Sequence, residues 1–347
     1  MGTILGRKAG WTAVLLVSLG AGAQTQMPPL DEALDAPARS RIIAEYARRL
    51  TAQHIDASLG KQAADELRRR LAHGAYDELR GARSFAAQVS KDADAVLHDR
   101  YTYLEFVPYD LTDEKQRPAQ SSPASDNYGM RKFEQLEQNI GYLQISRFGA
   151  VDRAATEAAA RFMSQAADCP ALIIDLRDAG GDSEAMGALL SSYLLVDKRS
   201  YIFRDKQLHL HDQVDRGGRV VKEYWTEADV RGKHFGGDKP LYILVNDRTS
   251  GAAEAFAYDL QQYKGRAVVV GSPTVGNAEF HAEQPVSRQL LTAIAVSRAV
   301  NTITHSNWQG NGVQPDQMVA PSQALDKALA LAKAAVAVKQ KTPTSEP

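Results

Sequence analysis

The chain has 347 residues, of which 44% are apolar, a formal net charge of −1 and a single cysteine. That length suits one large domain, or a small domain joined to a medium one, and the apolar share is that of a globular protein. The near-neutral charge, without a Lys/Arg run, speaks against a nucleic-acid partner, and the lone Cys169 excludes an intrachain disulfide.

Residues 1–23 read as a secretory signal. Arg7 and Lys8 precede a short apolar stretch at 11–19, and Ala21-Gly22-Ala23 forms a small-residue cleavage site before Gln24. The apolar stretch is too short to favour a membrane anchor, and no later segment is long and apolar enough to span a bilayer. The mature chain is therefore expected to be exported, to the periplasm or beyond, without a membrane span. Residues 24–38 are polar and Pro-containing and predict a mobile arm.

Helical spacing then recurs three times, at Ile42/Ile43/Tyr46/Ala47/Leu50, Leu59/Ala63/Leu67/Leu71 and Phe85/Val89/Ala93/Val96. It predicts an N-terminal helical bundle over 39–108, with a structural role. Residues 109–133 hold Pro118, Pro123 and several Ser and Asp, and predict a linker.

An α/β domain is expected over 134–340, followed by a disordered tail at 341–347. Strands are predicted at 141–145, 171–176, 241–245, 267–270 and 290–300, and helices at 152–167, 183–195, 252–263 and 322–338. Asp152 is placed as an N-cap. The run 171–176 is almost wholly apolar, as a central parallel strand requires. Alternating strands and helices imply right-handed crossovers on a mostly parallel sheet. Residues 201–230 are charged and irregular, with Gly217-Gly218 at a hairpin tip. Cys169 is expected to be a packed thiol, Arg177 and Asp175 a structural ion pair, and Trp308 a packing residue. No HExxH-like pair or Cys/His cluster occurs, and His209/His211 alternation is a poor ligand signal, so no metal or other cofactor is expected.

The run 248–260 carries the most information. It follows an apolar strand and opens an amphipathic helix, the join at which many α/β hydrolytic enzymes hold a nucleophile. A helix start there offers free N–H groups and partial positive charge. The run resembles the "serine, two small residues, glutamate" signature of the tail-specific proteases. Four further stretches, at 141–145, 175–181, 265–276 and 307–316, resemble the same family in the same order. They sit closest to the branch containing the tricorn protease core and the interphotoreceptor retinoid-binding proteins. The resemblance implies a crotonase/ClpP-like α/β core behind a helical bundle, and the activity of a serine peptidase. That activity needs a nucleophile, a base and oxyanion donors.

Carried over residue by residue, the roles are substituted. The nucleophile position, three before Glu254, is Gly251. The lysine-base position is Asn277, an amide that accepts no proton at neutral pH. The branch's histidine falls on Tyr101, a phenol and a poor base. The glutamate that orients the base falls on Gln309. Ser250, one residue from Gly251, is the remaining hydroxyl; a shift of one position turns it about 100° around the helix, and its bland reading is an N-cap. His98 is the remaining candidate base nearby, with His281 and His305 as loose ones. Gly180 and Gly181 either form a backbone nest for an oxyanion or a plain tight turn, and the adjacent Asp182 would oppose an anion.

These substitutions predict a non-catalytic protein on a protease fold, holding a peptide, a protein chain end or an apolar ligand. An active secreted peptidase using Ser250, with His98 or His305 as base, is the alternative. A third reading is an assembly partner of an active paralogue.

Overall fold

The computed structural model describes residues 31–113, 123–195 and 207–341. The signal expected over 1–23, part of the linker and the tail from 342 lie outside them. The chain begins with three helices, α1 Ala36–Gln53, α2 Ala57–Ala72 and α3 Ala82–Leu97. Asp35 caps α1 by accepting from the Ala38 N–H at 2.7 Å. Asp56 caps α2 through the Ser58 and Leu59 N–H groups. The arm placed over 24–38 is thus corrected for residues 31–38: Leu34 is buried, Ala33 bridges to Gly81 and α1 has already started.

The bundle expected over 39–108 is not helical throughout. Tyr103–Phe106 forms β1, which pairs antiparallel with the C-terminal part of the chain at Leu290, Leu291, Thr292 and Ala293. The bundle core (Ile43, Tyr46, Leu50, Leu67, Phe85, Val89) continues through Leu104 and Phe106 into Leu290 and Ile294. Helical periodicity alone could not show that the bundle's open side is closed by a sheet.

The second correction concerns the linker over 109–133. Its end, Met130–Gln135, is strand β2, antiparallel to β3 Gly141–Ile145. From there the chain follows the alternation read from the sequence. A short β4 (Arg147–Phe148), α4 (Arg153–Ala167), β5 (Leu172–Asp175), β6 (Gly180–Gly181) and α5 (Glu184–Leu195) come first. Asp152 caps α4, accepting from Ala155 N–H at 2.7 Å. Of the segment expected to be irregular over 201–230, residues 201–206 lie outside the described residues, and the rest is more regular than expected: β7 His209–Asp215 and β8 Val220–Trp225 form a hairpin, with Gly218 in the left-handed region (φ 81°) at its tip.

The rest runs β9 Leu241–Val245, α6 Ala252–Gln262, β10 Val268–Gly271, β11 Glu279–Pro285, β12 Leu290–Asn301, β13 Gln317–Met318 and α7 Ala324–Lys341. Two sheets result. The larger has the order β13-β10-β9-β5-β3-β2, parallel except at β2. The smaller has the order β1-β12-β7-β8, with β11 also on β12.

The larger sheet is covered on both faces, which explains its near-continuous apolar strands. Leu143, Leu172, Ile174, Leu241, Ile243 and Val245 meet the core of α4, α5 and α6. The alternate residues Tyr142, Ile173, Tyr242 and Leu244 meet Ala324, Ala328, Ala332 and Val336 of α7. The expected packing roles hold for Cys169 and Trp308, 1% and 2% exposed. Burial also raises the Cys169 thiol above its ordinary pKa. Arg177 Nη2 stands 2.6 Å from Asp175 Oδ2, which also accepts from Tyr142 OH at 2.7 Å. No helix among the described residues is long and apolar enough to cross a membrane.

Phe256 on α6 and Phe148 on β4 pack with ring centroids 5.4 Å apart directly beneath the α6 start. Phe256→Ala should destabilise the chain by about 3–5 kcal/mol, read as a lower midpoint in urea unfolding; a loss under about 1 kcal/mol would mean that this layer is not tightly packed.

Candidate functional site

The parallel strands end in a set of turns around the start of α6. Thr249 fixes the turn after β9: its Oγ1 donates to Leu176 O at 2.8 Å and accepts from Asn246 N–H at 3.0 Å. Asn246 Nδ2 and Arg248 Nε both reach Asp178 Oδ1, at 3.0 and 2.6 Å. Ser250 N–H then donates to Ala179 O. Gly251, not Ser250, is the N-cap, with φ 59° and ψ −128°. Those angles suit the first central residue of a type II′ turn, which glycine occupies without steric penalty. The N-cap reading of the Ser250 hydroxyl is therefore corrected.

Glu254 holds this start in place. It is fully buried, and its carboxylate accepts from Gly251 N–H (3.0 Å), Gly276 N–H (2.6 Å), Asn277 N–H (3.0 Å) and Thr274 Oγ1 (2.5 Å). Burial raises its pKa, and these hydrogen bonds oppose the rise. One side chain thus joins the helix start to the loop between β10 and β11. The sequence marked Glu254 only as part of a signature; its buried role needed the loop at 274–277 to be placed beside it.

Above Gly251 lies a cleft of about 570 Å³. Its walls include Tyr101, Asp182, Glu184, Asn277, Glu279, Phe280, His281, Glu283 and Trp308. Of the positions to which the resemblance assigns the family's roles, Tyr101, Gly251 and Asn277 therefore meet in one place. Gln309 does not orient a base; its Oε1 accepts from Ala278 N–H at 2.7 Å and pins the start of β11. His98 is the exposed C-cap of α3, in the left-handed region at φ 53°, and is not a cleft residue. His305 is also exposed, in the turn after β12. His281, by contrast, faces the cleft: its Nε2 is 3.3 Å from Asp99 Oδ2, and its ring lies 5.9 Å from that of Tyr101. Burial raises the Asp99 pKa, but the bonds from His281 and Thr102 outweigh this and lower it.

Gly180 and Gly181 do not form the open pair of amides that a nest requires. Gly180 N–H donates to Ser146 O at 3.3 Å, and both glycines pair with β4. The Gly181 carbonyl oxygen, rather than an N–H, points at position 251: a Cβ built there would lie 2.5 Å from it. Ser250 Oγ lies on the Gly180 side, 3.1 Å from where a Gly180 Cβ would stand, and Ser250 is not part of the cleft wall.

A buried charged group under the cleft was not foreseen. His211 on β7 gives Nδ1 to Asp259 Oδ2 of α6 at 2.7 Å, and Asn301 Nδ2 donates to Asp259 Oδ1 at 2.9 Å. His211 Nε2 faces Glu184 Oε2 at 3.6 Å. Burial alone would lower the His211 pKa; Asp259, through charge and hydrogen bond, outweighs it and pushes it up to about 9. Burial pushes Glu184 up to about 7, against the pull of His211. The alternation of His209 and His211 was visible, but not their partners, 3 and 48 residues away.

A sequence profile of peptidase family S41 matches residues 139–319, just over half of the chain. The chain belongs to peptidase family S41. A "Carboxyl-terminal-processing protease" of Picosynechococcus sp. (strain ATCC 27264 / PCC 7002 / PR-6) is 24% identical over 185 residues, covering 52% of this chain and 39% of that protein. This S41 chain thus spans about two fifths of that relative's length. Among solved structures, a photosystem II D1 C-terminal processing protease superposes with a TM-score of 0.54 at 17% identity, over 82% of this chain and 94% of that one. The tricorn protease does so at 0.50 and 13%, over 86% of this chain and 37% of that one. At such identities the likeness is one of fold, and it agrees with the α/β core and helical N-terminal region expected from the sequence.

Two outcomes are expected for this S41 chain. Glu254→Gln sets an amide NH₂ against backbone N–H donors and should destabilise by on the order of 3 kcal/mol; urea unfolding checks it, and an unchanged midpoint would contradict the hub. The His211 pKa is raised on folding, so its stabilisation is complete below the unfolded value of 6.5 and lost as pH rises through about 9. The raised Glu184 acts in the same direction from 4.5 through about 7. The melting temperature should therefore fall from pH 6 to 9, and His211→Asn should flatten that slope; an equal slope in the variant would refute it.

Proposed function

We propose that this chain is an exported S41 homologue that binds peptide segments in its cleft and does not hydrolyse them. The observation that carries the reading is at position 251. The start of α6 holds the elbow geometry, yet the residue there has no side chain, and the Gly181 carbonyl stands where a nucleophile's Cβ would need room. The proposed lack of hydrolysis extends to Ser250, whose hydroxyl lies beside Gly180 instead of on the cleft wall, and to His98, exposed at a helix end.

The character of the cleft favours one ligand chemistry. Asp182 and Glu283 line it together with Tyr101, Tyr103 and Phe280, and among the described residues no Lys or Arg does. A negative, aromatic-walled cleft favours Lys- or Arg-bearing side chains, by charge and by cation–π contact, and disfavours a bare chain-end carboxylate. Export rests on the signal pattern of residues 1–23.

A fluorophosphonate serine probe should leave the purified chain unlabelled, and fluorescent peptides should bind by anisotropy, basic ones more tightly than acidic ones and more weakly as salt rises. Labelling that disappears in Ser250→Ala, or peptide cleavage abolished by the same change, would overturn the reading. Gly251→Ser should restore no labelling and should destabilise by about 1–3 kcal/mol, because a side chain at this backbone conformation is strained.

A further inference from the structure

Three donors of different origin meet on one wall of the cleft. Asp99 comes from the turn after α3, and Glu279 and His281 come from alternate positions of β11. One donor atom from each lies within 4.8 Å of the other two. Asp99 and His281 are 182 residues apart, so no spacing motif could announce them.

The distances separate a ligand set from an ordinary histidine–carboxylate bond. Of the other histidine–carboxylate pairs in the described structure, His211–Asp259 and His209–Asp212 are short at 2.7 Å, while His211–Glu184, which shares its imidazole with Asp259, is 3.6 Å. His281 Nε2 stands 3.3 Å from Asp99 Oδ2. Two donors each about 2.1 Å from a tetrahedral zinc ion lie about 3.4 Å apart. The surroundings agree. Asp99 Oδ1 accepts from Tyr101 N–H at 2.9 Å and the Thr102 hydroxyl also bonds the carboxylate, which orients it with Oδ2 toward His281. The Glu279 carboxylate has no hydrogen bond or ion pair among the described residues, although it is largely shielded from water. Glu279 and His281 both line the cleft, so a bound ion would have an open side.

We propose that Asp99, Glu279 and His281 form a divalent transition-metal site, of the kind zinc occupies, with its free coordination position facing the cleft. One imidazole and two carboxylates suit zinc by chemistry. The ion would offset two carboxylates that now stand beside one imidazole. It would present a Lewis-acidic position to a carbonyl oxygen in the cleft. The site stands apart from the peptide reading, since it needs only these three ligands whether or not a chain lies beside them. The second donor group, His209, Asp212 and Glu223, serves as the internal control. There His209 is already closed on Asp212, and Glu223 accepts from Trp225 Nε1 at 3.0 Å.

The test is calorimetric titration of the metal-stripped full chain with zinc chloride. One equivalent with micromolar or tighter affinity is expected, weakened at least about 100-fold by His281→Ala and by Glu279→Gln and unchanged in His209→Ala. The thermal melt of each metal-free variant verifies folding. The visible absorption of cobalt(II) bound to the unaltered chain, intensified by tetrahedral coordination, gives a readout independent of variants. Absence of a micromolar equivalent, equal affinity in both cleft variants, loss of binding in His209→Ala, or only the weak spectrum of octahedral cobalt would overturn the proposal.

Discussion

A single buried carboxylate sets the geometry on which the rest depends. Glu254 takes four hydrogen bonds, three from backbone N–H groups and one from a threonine hydroxyl, in a fully buried position. A charge there is tolerated because every donor is aimed at it, and removing a donor would leave an uncompensated buried group. The four donors come from the start of α6 and from residues 274–277. The arrangement therefore fixes Gly251 and Asn277 relative to each other, and with them the floor and one wall of the cleft. The hub that holds the scaffold around position 251 is built from Glu254 and its donors and needs no side chain at that position.

A second constraint lies just below. The His211–Asp259 pair connects the hairpin strand β7 to α6, and Asn301 brings in the end of β12. Both charges are almost fully buried, with His211 2% exposed and Asp259 3%. Such a pair contributes modestly to net stability while strongly penalising any packing that parts its members. It thereby sets the smaller sheet against the α6 side of the core, and Glu184 above it is the point where this buried charge reaches the cleft.

The sequence revealed the parallel core well for a physical reason: strands buried on both faces must be apolar throughout, and 141–145, 171–176 and 241–245 are. Gly251 was legible because strand, turn and helix are contiguous there. The parts that stayed hidden depend on distant pairing. β1 and β2 carry polar or charged residues on half-exposed edges, so their segments looked like bundle and linker. Gly180-Gly181 read equally well as nest or turn; only the pairing with β4 and the direction of the Gly181 carbonyl distinguish the two. His281 was singled out as a loose candidate, but its partner Asp99 sits at the far end of the bundle's third helix, and local spacing does not encode that meeting.

The continuation of the bundle core into β12 has a consequence for how the chain can be divided. Composition suggests two modules joined at 109–133, yet Leu290 and Ile294, near the other end of the sequence, are interior residues of the first module. An excised α/β fragment would carry both of these residues unshielded, beside the unsatisfied hydrogen-bonding edge that β1 now occupies, the combination from which strand-to-strand aggregation starts. The helices at the beginning of the chain are in this sense a lid on the last long strand, and the two halves share one core.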